Sequence, residues 1–188
     1  MIVYTLATTD ADLQGILDLQ SSNLEATLTV EETRSQGFVT VRHDLALLRQ
    51  IRGDYHHIVA KAGHRVIGYV LTMLPAARQQ IPVLHSLFDR IDQTTYRKKP
   101  LCDYSYVVMG QVCIDKAYRG RGVFGHLYAH QRAHLAGDFD LLITEIAGRN
   151  TRSLRAHEKV GFIPILEFLD GERWIITLWD WTNGHSGK

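Results

Sequence analysis

The sequence is poor in the features that mark several protein classes. It has two cysteines, Cys102 and Cys113, in 188 residues. That is too few for the framework of a disulfide-rich secreted domain, so a reducing, cytoplasmic setting is expected. No run of about 18 apolar residues occurs, so no spanning helix and no membrane partner are expected. Residues 1–10 lack a basic stretch followed by a long apolar one, and no signal peptide is read there. The four prolines are scattered, and neither a low-complexity tract nor an internal repeat is visible. Charge of one sign is also missing: 21 Lys+Arg face 20 Asp+Glu, a formal net charge of +1. A nucleic-acid-binding domain normally carries a clearly basic footprint, so no nucleic-acid partner is expected.

What remains fits a globular protein, with 45% hydrophobic and 22% charged residues. A chain of this length buries about 70% of its unfolded surface and needs no metal or disulfide staple. We expect one domain over residues 1–182 and a short tail at 183–188.

Periodicity gives the order of elements. Residues 2–6 read as a strand. Residues 10–20 place Leu13, Ile16, Leu17 and Gln20 on one helical face, with Thr9 or Asp10 as cap. Thr29 and Glu32 form a capping-box pattern for a second helix. Residues 43–51 suggest another, with Asp44 near its start. Strands at 57–61 and 66–73 flank a turn at Gly63. Residues 74–103 read as irregular apart from one helix at 82–91. A long strand at 104–114 leads to glycines, and a helix then runs to about Ala136. Its apolar face is Phe124, Leu127, Tyr128, Gln131 and Leu135. A strand at 141–146, a helix at 153–160 closed by Gly161, and a hairpin of strands 162–168 and 174–179 complete the chain. This order indicates a mixed α/β sandwich with helices on both sheet faces.

The segment Arg119-Gly120-Arg121-Gly122-Val123-Phe124-Gly125 follows a strand and opens a helix. Glycine permits positive φ and close backbone approach, and a helix N-terminus offers unpaired N–H groups and a positive dipole end. Together they can cradle a pyrophosphate. Gly120, Gly122 and Gly125 also satisfy the dinucleotide pattern G-x-G-x-x-G. Five residues separate them from the strand, and the pattern lies late in the chain, which argues against a Rossmann unit. Glu145 stands at a suitable distance for a ribose-binding acid, so a nucleotide-binding oxidoreductase stays open as an alternative.

These residues resemble the GNAT superfamily of acyl-CoA N-acyltransferases. The core motif of that family is Arg/Gln-x-x-Gly-x-Gly/Ala after a long strand; here it is Arg119-x-x-Gly122-x-Phe124. The second motif starts with Asn and ends in aromatic-Glu-Lys-x-Gly-Phe; here Asn150 leads through Ser153 to His157-Glu158-Lys159-Val160-Gly161-Phe162. The two motifs cover roughly residues 104–168. The resemblance implies a mostly antiparallel central sheet of about six or seven strands flanked by helices. It also implies acetyl-CoA as co-substrate, no metal, and a small-molecule or peptide amine as acceptor, with a homodimer left open. By position, Val112, Cys113 and Ile114 would bind the pantetheine arm. Arg119, Gly120, Arg121, Gly122, Val123, Phe124 and Gly125 would hold the pyrophosphate, and Asn150 and Ser153 would reach the cofactor.

Two departures stand out. Phe124 replaces a small residue and is read as packing. His157 replaces a tyrosine that in many members protonates the leaving thiolate. It can donate a proton itself, or pack in the interior, in which case a weakly catalytic acyl-CoA-binding sensor is the alternative. Glu145 is the candidate general base or ammonium anchor, against a solvated strand-end carboxylate. Gln111 could orient the acceptor or simply occupy the sheet face. The acceptor would be shaped by residues 21–38, where Glu25, Glu31 and Glu32 could attract a cation. His126, His130 and His134 are spaced by four, which suits a metal, but a solvated stripe explains them better. The three tryptophans, Trp174, Trp179 and Trp181, read as packing. Residues 115–159 hold eight Lys+Arg against five acids. Five of the basic residues, Arg119, Arg121, Arg149, Arg152 and Arg155, lie in or beside the two motifs, so a local cationic site is expected.

Overall fold

Residues 1–24, 39, 41–79, 81 and 84–182 are described by a computed structural model. Strand β1 (Ile2–Leu6) leads into helix α1 (Asp10–Ser21). The Thr9 hydroxyl accepts the Asp12 N–H at 3.2 Å while the Asp12 carboxylate accepts the Thr9 N–H at 3.2 Å, a reciprocal box that starts the helix. Helix α2 (Leu45–Ile51) starts at Asp44, whose carboxylate accepts the Leu47 N–H at 2.8 Å. Strands β2 (Ile58–Ala62) and β3 (Arg65–Met73) turn at Gly63, with φ 62°. Helix α3 (His85–Gln93) and a two-residue ladder of β4 (Thr95–Tyr96) and β5 (Lys99–Pro100) precede β6 (Tyr106–Ile114). Then follow α4 (Val123–Leu135), β7 (Leu141–Ala147) and α5 (Thr151–Val160). Strands β8 (Ile163–Asp170) and β9 (Glu172–Asp180) form a hairpin through Gly171, at φ 67°.

Seven strands make one sheet in the order β1-β2-β3-β6-β7-β9-β8. All neighbours are antiparallel except β6 and β7. Helices α1, α2 and α3 cover one face, in a core with Ile16, Leu48, Leu71, Phe88 and Ile143. Helix α4 covers the other through Leu127 and Tyr128, against Ile67, Val70 and Trp181. The expected mixed sheet with helices on both faces is therefore present.

Residues 74–103 hold more structure than their sequence suggests: a 3-10 turn at Pro75–Gln79, α3, and the β4–β5 ladder. The helix expected at 82–91 runs from His85 to Gln93, and Pro82 is outside the described residues. The expected Thr29–Glu32 helix start and the tail 183–188 also lie outside them. Helix α5 begins at Thr151 rather than at 153, because the Asn150 side chain caps it by accepting the Ser153 N–H. Among the described residues, no helix is long and apolar enough to cross a membrane.

Two irregularities of β6 position the site. Val70 pairs with Val112 but Thr72 with Met109, so β6 carries one residue more than β3 over that stretch, a bulge at Gly110 and Gln111. On its other side β6 pairs with β7 only at Tyr106–Leu141, Val107–Leu142 and Val108–Ile143. Beyond Val108 the two strands part.

Candidate active site

The first cavity, of about 760 Å³, opens where β6 ends and α4 begins. Val112, Cys113 and Ile114 form one wall. A short 3-10 turn at Lys116–Tyr118 follows, and then the glycine turn, where Gly120 and Gly122 adopt φ 76° and 77°. These angles belong to the left-handed region that favours glycine. A Cβ at Gly120 or Gly125 would meet no protein atom within 4 Å, so these glycines keep space open rather than relieve packing. The helical ladder of α4 begins with the His126 N–H on the Gly122 carbonyl at 3.2 Å. The amides of Val123, Phe124 and Gly125 therefore stand outside it, at the positive end of the helix. That is a fit for a phosphate-bearing ligand.

The cationic rim differs in detail from the expectation. Arg119, Arg152, Arg155 and Lys159 line the cavity. Arg121 lies outside the lining, with its guanidinium 5.5 Å from the Tyr118 ring centroid. Arg149 is turned to the β9 side, where it ion-pairs with Glu172 at 2.6 Å. Lys159 was missed, although Arg152, Arg155 and Lys159 share one face of α5 by their spacing. Arg119 donates through Nε to the Ile114 carbonyl at 2.9 Å and through Nη2 to Asn23 at 2.8 Å. It thus also ties the glycine turn to β6 and to the end of α1. Asn150 and Ser153 line the cavity at the start of α5.

Phe124 stands at the cleft and also packs inward. It lines the cavity, and its ring packs on Tyr128 at 4.9 Å and on His157 at 5.0 Å between centroids. His157 is 1% exposed and lies behind this wall rather than in it. Its Nδ1 lies 2.8 Å from the Ser153 carbonyl, which can only accept, so Nδ1 carries the hydrogen. Nε2 then accepts from the Tyr128 hydroxyl at 2.6 Å. Burial pushes the imidazole pKa down to about 4, opposed by the Ser153 bond. The ring is neutral near pH 7, which does not suit the proton-donor role expected for it.

A second cavity, of about 540 Å³, lies farther back along β6, with Val108, Met109 and Gly110 in its lining. Gln111 alone separates these residues from Val112 of the first cavity. Thr144 and Glu145 of β7, Asp170 at the β8–β9 turn and Arg42 bring polar groups to it. Burial raises the Glu145 carboxyl to about 7, with nearby Asp170 adding to the rise and Arg90 opposing it. Glu145 is thus an enclosed carboxylate poised near neutrality, not a solvated strand end. Gln111 faces neither cavity. Its Oε1 accepts from Gln20 at 2.7 Å and from the Tyr69 hydroxyl at 2.5 Å, and its Nε2 donates to the Val41 carbonyl at 2.8 Å. Gln20 also reaches His43 Nδ1 at 2.8 Å, so this network holds the 41–43 segment beside the second cavity. That cavity was not legible in the sequence, since its described walls come from six separate segments.

The histidine stripe of α4 finds aromatic partners: His126 and His130 stack on Tyr4 at 5.1 and 5.5 Å. Among the described residues no cluster of three or more His, Cys, Asp or Glu could hold a metal. Glu25, Glu31 and Glu32 lie outside the described residues. Antiparallel partners on both outer sides of the β6–β7 pair are incompatible with a doubly wound dinucleotide fold, which removes the structural basis for the oxidoreductase alternative.

Comparison with known proteins agrees with this geometry. The profile of the acetyltransferase (GNAT) family matches residues 17–162. No curated protein sequence matches. Among solved structures, the ribosomal-protein-S18-alanine N-acetyltransferase from Escherichia coli superposes with a TM-score of 0.64 at 13% identity, covering 100% of this chain and 97% of that one. NAA60 from Arabidopsis thaliana, solved with acetyl-CoA, gives 0.64 at 14% identity, over 96% and 99%. The NatC complex bound to Gag peptide and CoA gives 0.59 at 16% identity, over 95% and 98%. At these identities the likeness is one of fold.

Proposed function

The chain belongs to the GNAT acetyltransferase family, and from that premise we propose that it transfers an acetyl group from acetyl-CoA to a primary amine in a ternary complex. The observation that carries this reading is the strand β6, which borders a cationic cleft at Val112–Ile114 and a carboxylate-bearing cavity at Val108–Gly110. The two substrates would meet where β6 and β7 part. We assign the reaction to the cytoplasm and to a single domain spanning residues 1–182.

Acetyl-CoA, when bound, supplies the activated acyl group. The amides of Val123, Phe124 and Gly125 would hold its pyrophosphate, with Arg119, Arg152, Arg155 and Lys159 adding positive charge. The edge of β6 from Val112 to Ile114, which has no β7 partner, would pair with the pantetheine arm. Glu145 would take the proton that an ammonium must lose before its nitrogen can attack; a carboxylate near pKa 7 suits that task at neutral pH. Ser153 and Asn150 line the same cleft and would reach the cofactor. His157 is assigned to positioning: it braces Tyr128 and Phe124 behind the cleft wall. The proton for the departing thiolate is therefore assigned to solvent rather than to His157.

Thermal-shift titration with acetyl-CoA, CoA and NAD, followed by thiol release over a panel of amines, tests this. Stabilisation by both CoA ligands and release with at least one amine are expected. Stabilisation by NAD alone would overturn the reading, and tight acetyl-CoA binding with no amine turned over would favour the sensor.

A further inference from the structure

Taking the acetyltransferase reading as its basis, we propose that the acceptor is a monocationic primary amine bearing an apolar group, seated in the second cavity with its nitrogen toward Glu145. The walls carry the case. Met73, Leu84, Leu87, Met109, Phe168 and Trp174 line the cavity, two of them aromatic and two of them pliable thioethers. At about 540 Å³ it has room for a ring or branched chain beyond the amine itself.

Among the described lining residues the polar inventory is short and largely committed. The Ser86 hydroxyl donates to Asp170 at 2.9 Å, and the Thr144 hydroxyl donates to the Met109 carbonyl at 3.0 Å. Neither is a spare donor for the hydroxyls of an amino sugar. The Arg90 guanidinium sits 3.8 Å from the Phe168 ring centroid, which leaves Phe168 as a packed wall rather than a mobile side chain. Among the described lining residues the charged groups are Glu145, Asp170 and Arg42, and Arg42 is exposed. Two carboxylates favour one cation and disfavour a carboxylate beside it. Among the described lining residues they are too few for the spaced charges of a polyamine, whose inner ammonium groups would have to enter apolar surroundings. The same chemistry is offered by a free arylalkyl or branched alkyl amine and by the N-terminus of a peptide with an apolar first residue.

The test is thiol release from acetyl-CoA by the full chain, comparing 2-phenylethylamine, isoamylamine and a phenylalanine-led tripeptide amide with spermidine, kanamycin and free phenylalanine. The first group should exceed the second in kcat/KM by about tenfold or more, and the small amines against the tripeptide amide tell the two sources apart. Preference for spermidine, kanamycin or phenylalanine overturns the proposal while leaving acetyl transfer intact. Silence with every amine overturns the proposal, and a parallel lack of thermal stabilisation by acetyl-CoA shows that the reading beneath it has failed too. In Trp174→Ala the ratio of kcat/KM for 2-phenylethylamine to that for ethylamine should fall about tenfold. An equal loss for both amines would count against the proposal. Leu84→Ala should move the ratio in the same direction and serves if the tryptophan variant does not fold.

Discussion

The hydroxyl of Thr144 donates to the carbonyl of Met109 at 3.0 Å, one residue beyond the last paired position of β6 and β7. Both residues are buried, and both line the second cavity. A single side chain thus bridges the two strands at the point where their backbones part. Thr144→Val keeps the shape and removes the donor, leaving a buried carbonyl without this partner. The expected cost is about 1–3 kcal/mol, read as a lower urea midpoint with an unchanged slope. KM for the amine should rise more than kcat falls, because the fork would lose its fixed width. An unchanged midpoint would show that the bond contributes nothing net.

As the proposed base, Glu145 should give the activity its pH dependence. Its carboxyl is raised to about 7 by burial first and Asp170 second. A base must be ionised, so kcat/KM should rise with pH through about 7 and level off above it. Glu145→Gln should abolish that limb and lower kcat by about 100-fold or more. The stability effect runs the other way. A carboxyl whose folded pKa lies above its unfolded value of 4.5 favours the folded state at low pH, and that advantage is lost as pH rises from 4.5 to about 7. The glutamine variant should therefore be more stable than the parent at pH 8, by an amount on the order of 2 kcal/mol. A variant that keeps the rising limb would assign the base elsewhere.

What could be read from the sequence was what short spacing decides. The positive φ angles at Gly120 and Gly122 and the left-handed Gly161 each concern a few neighbouring residues, and each stands where the motif places it. The β8–β9 hairpin was legible for the same reason. The residues of β6 alone do not show the fork, because they form a nearly continuous apolar run and nothing in them states where a partner leaves it. The second cavity was hidden still more deeply: Met73, Leu84, Phe168 and Trp174 each look like ordinary core residues in their own segments. His157 marks the converse case. Its motif position suggested chemistry, while the Phe124, Tyr128 and Phe162 rings around it decide its state.

Gly122→Ala tests the phosphate cradle. The residue sits at φ 77°, and a Cβ there would meet the His126 ring at 3.6 Å, an ordinary contact. The penalty is therefore backbone strain rather than a clash, about 1–2 kcal/mol. If the turn relaxes to relieve it, the amides of Val123 to Gly125 are re-aimed. Acetyl-CoA affinity measured by calorimetry should fall about tenfold or more, with little change in amine KM. Equal affinity in the variant would remove the turn from the binding site.

Three buried histidines should make the fold sensitive to acid. His43 and His157 are pushed down to about 4 and His57 to about 3, in each case chiefly by burial. Each also uses a ring nitrogen as an acceptor: His43 from Gln20, His57 from the Thr72 N–H at 3.0 Å, His157 from Tyr128. Protonation would break these bonds as well as charge the interior. A histidine whose folded pKa lies below its unfolded 6.5 contributes stability that is complete above 6.5 and is lost as pH falls toward the folded value. Each then contributes a slope of about 1.4 kcal/mol per pH unit, so the unfolding free energy should drop steeply between pH 6.5 and 4 in urea titrations. His157→Phe should be less stable at pH 7.5, since the Tyr128 hydroxyl loses its acceptor in the interior. Its stability should nevertheless fall less steeply with acid, by one proton. Its kcat per folded molecule at pH 8 should stay within about tenfold of the parent, as a positioning role allows. A loss of about 1,000-fold in a folded variant would restore His157 to the chemistry, with its proton reaching the thiolate by rearrangement of the Phe124 wall.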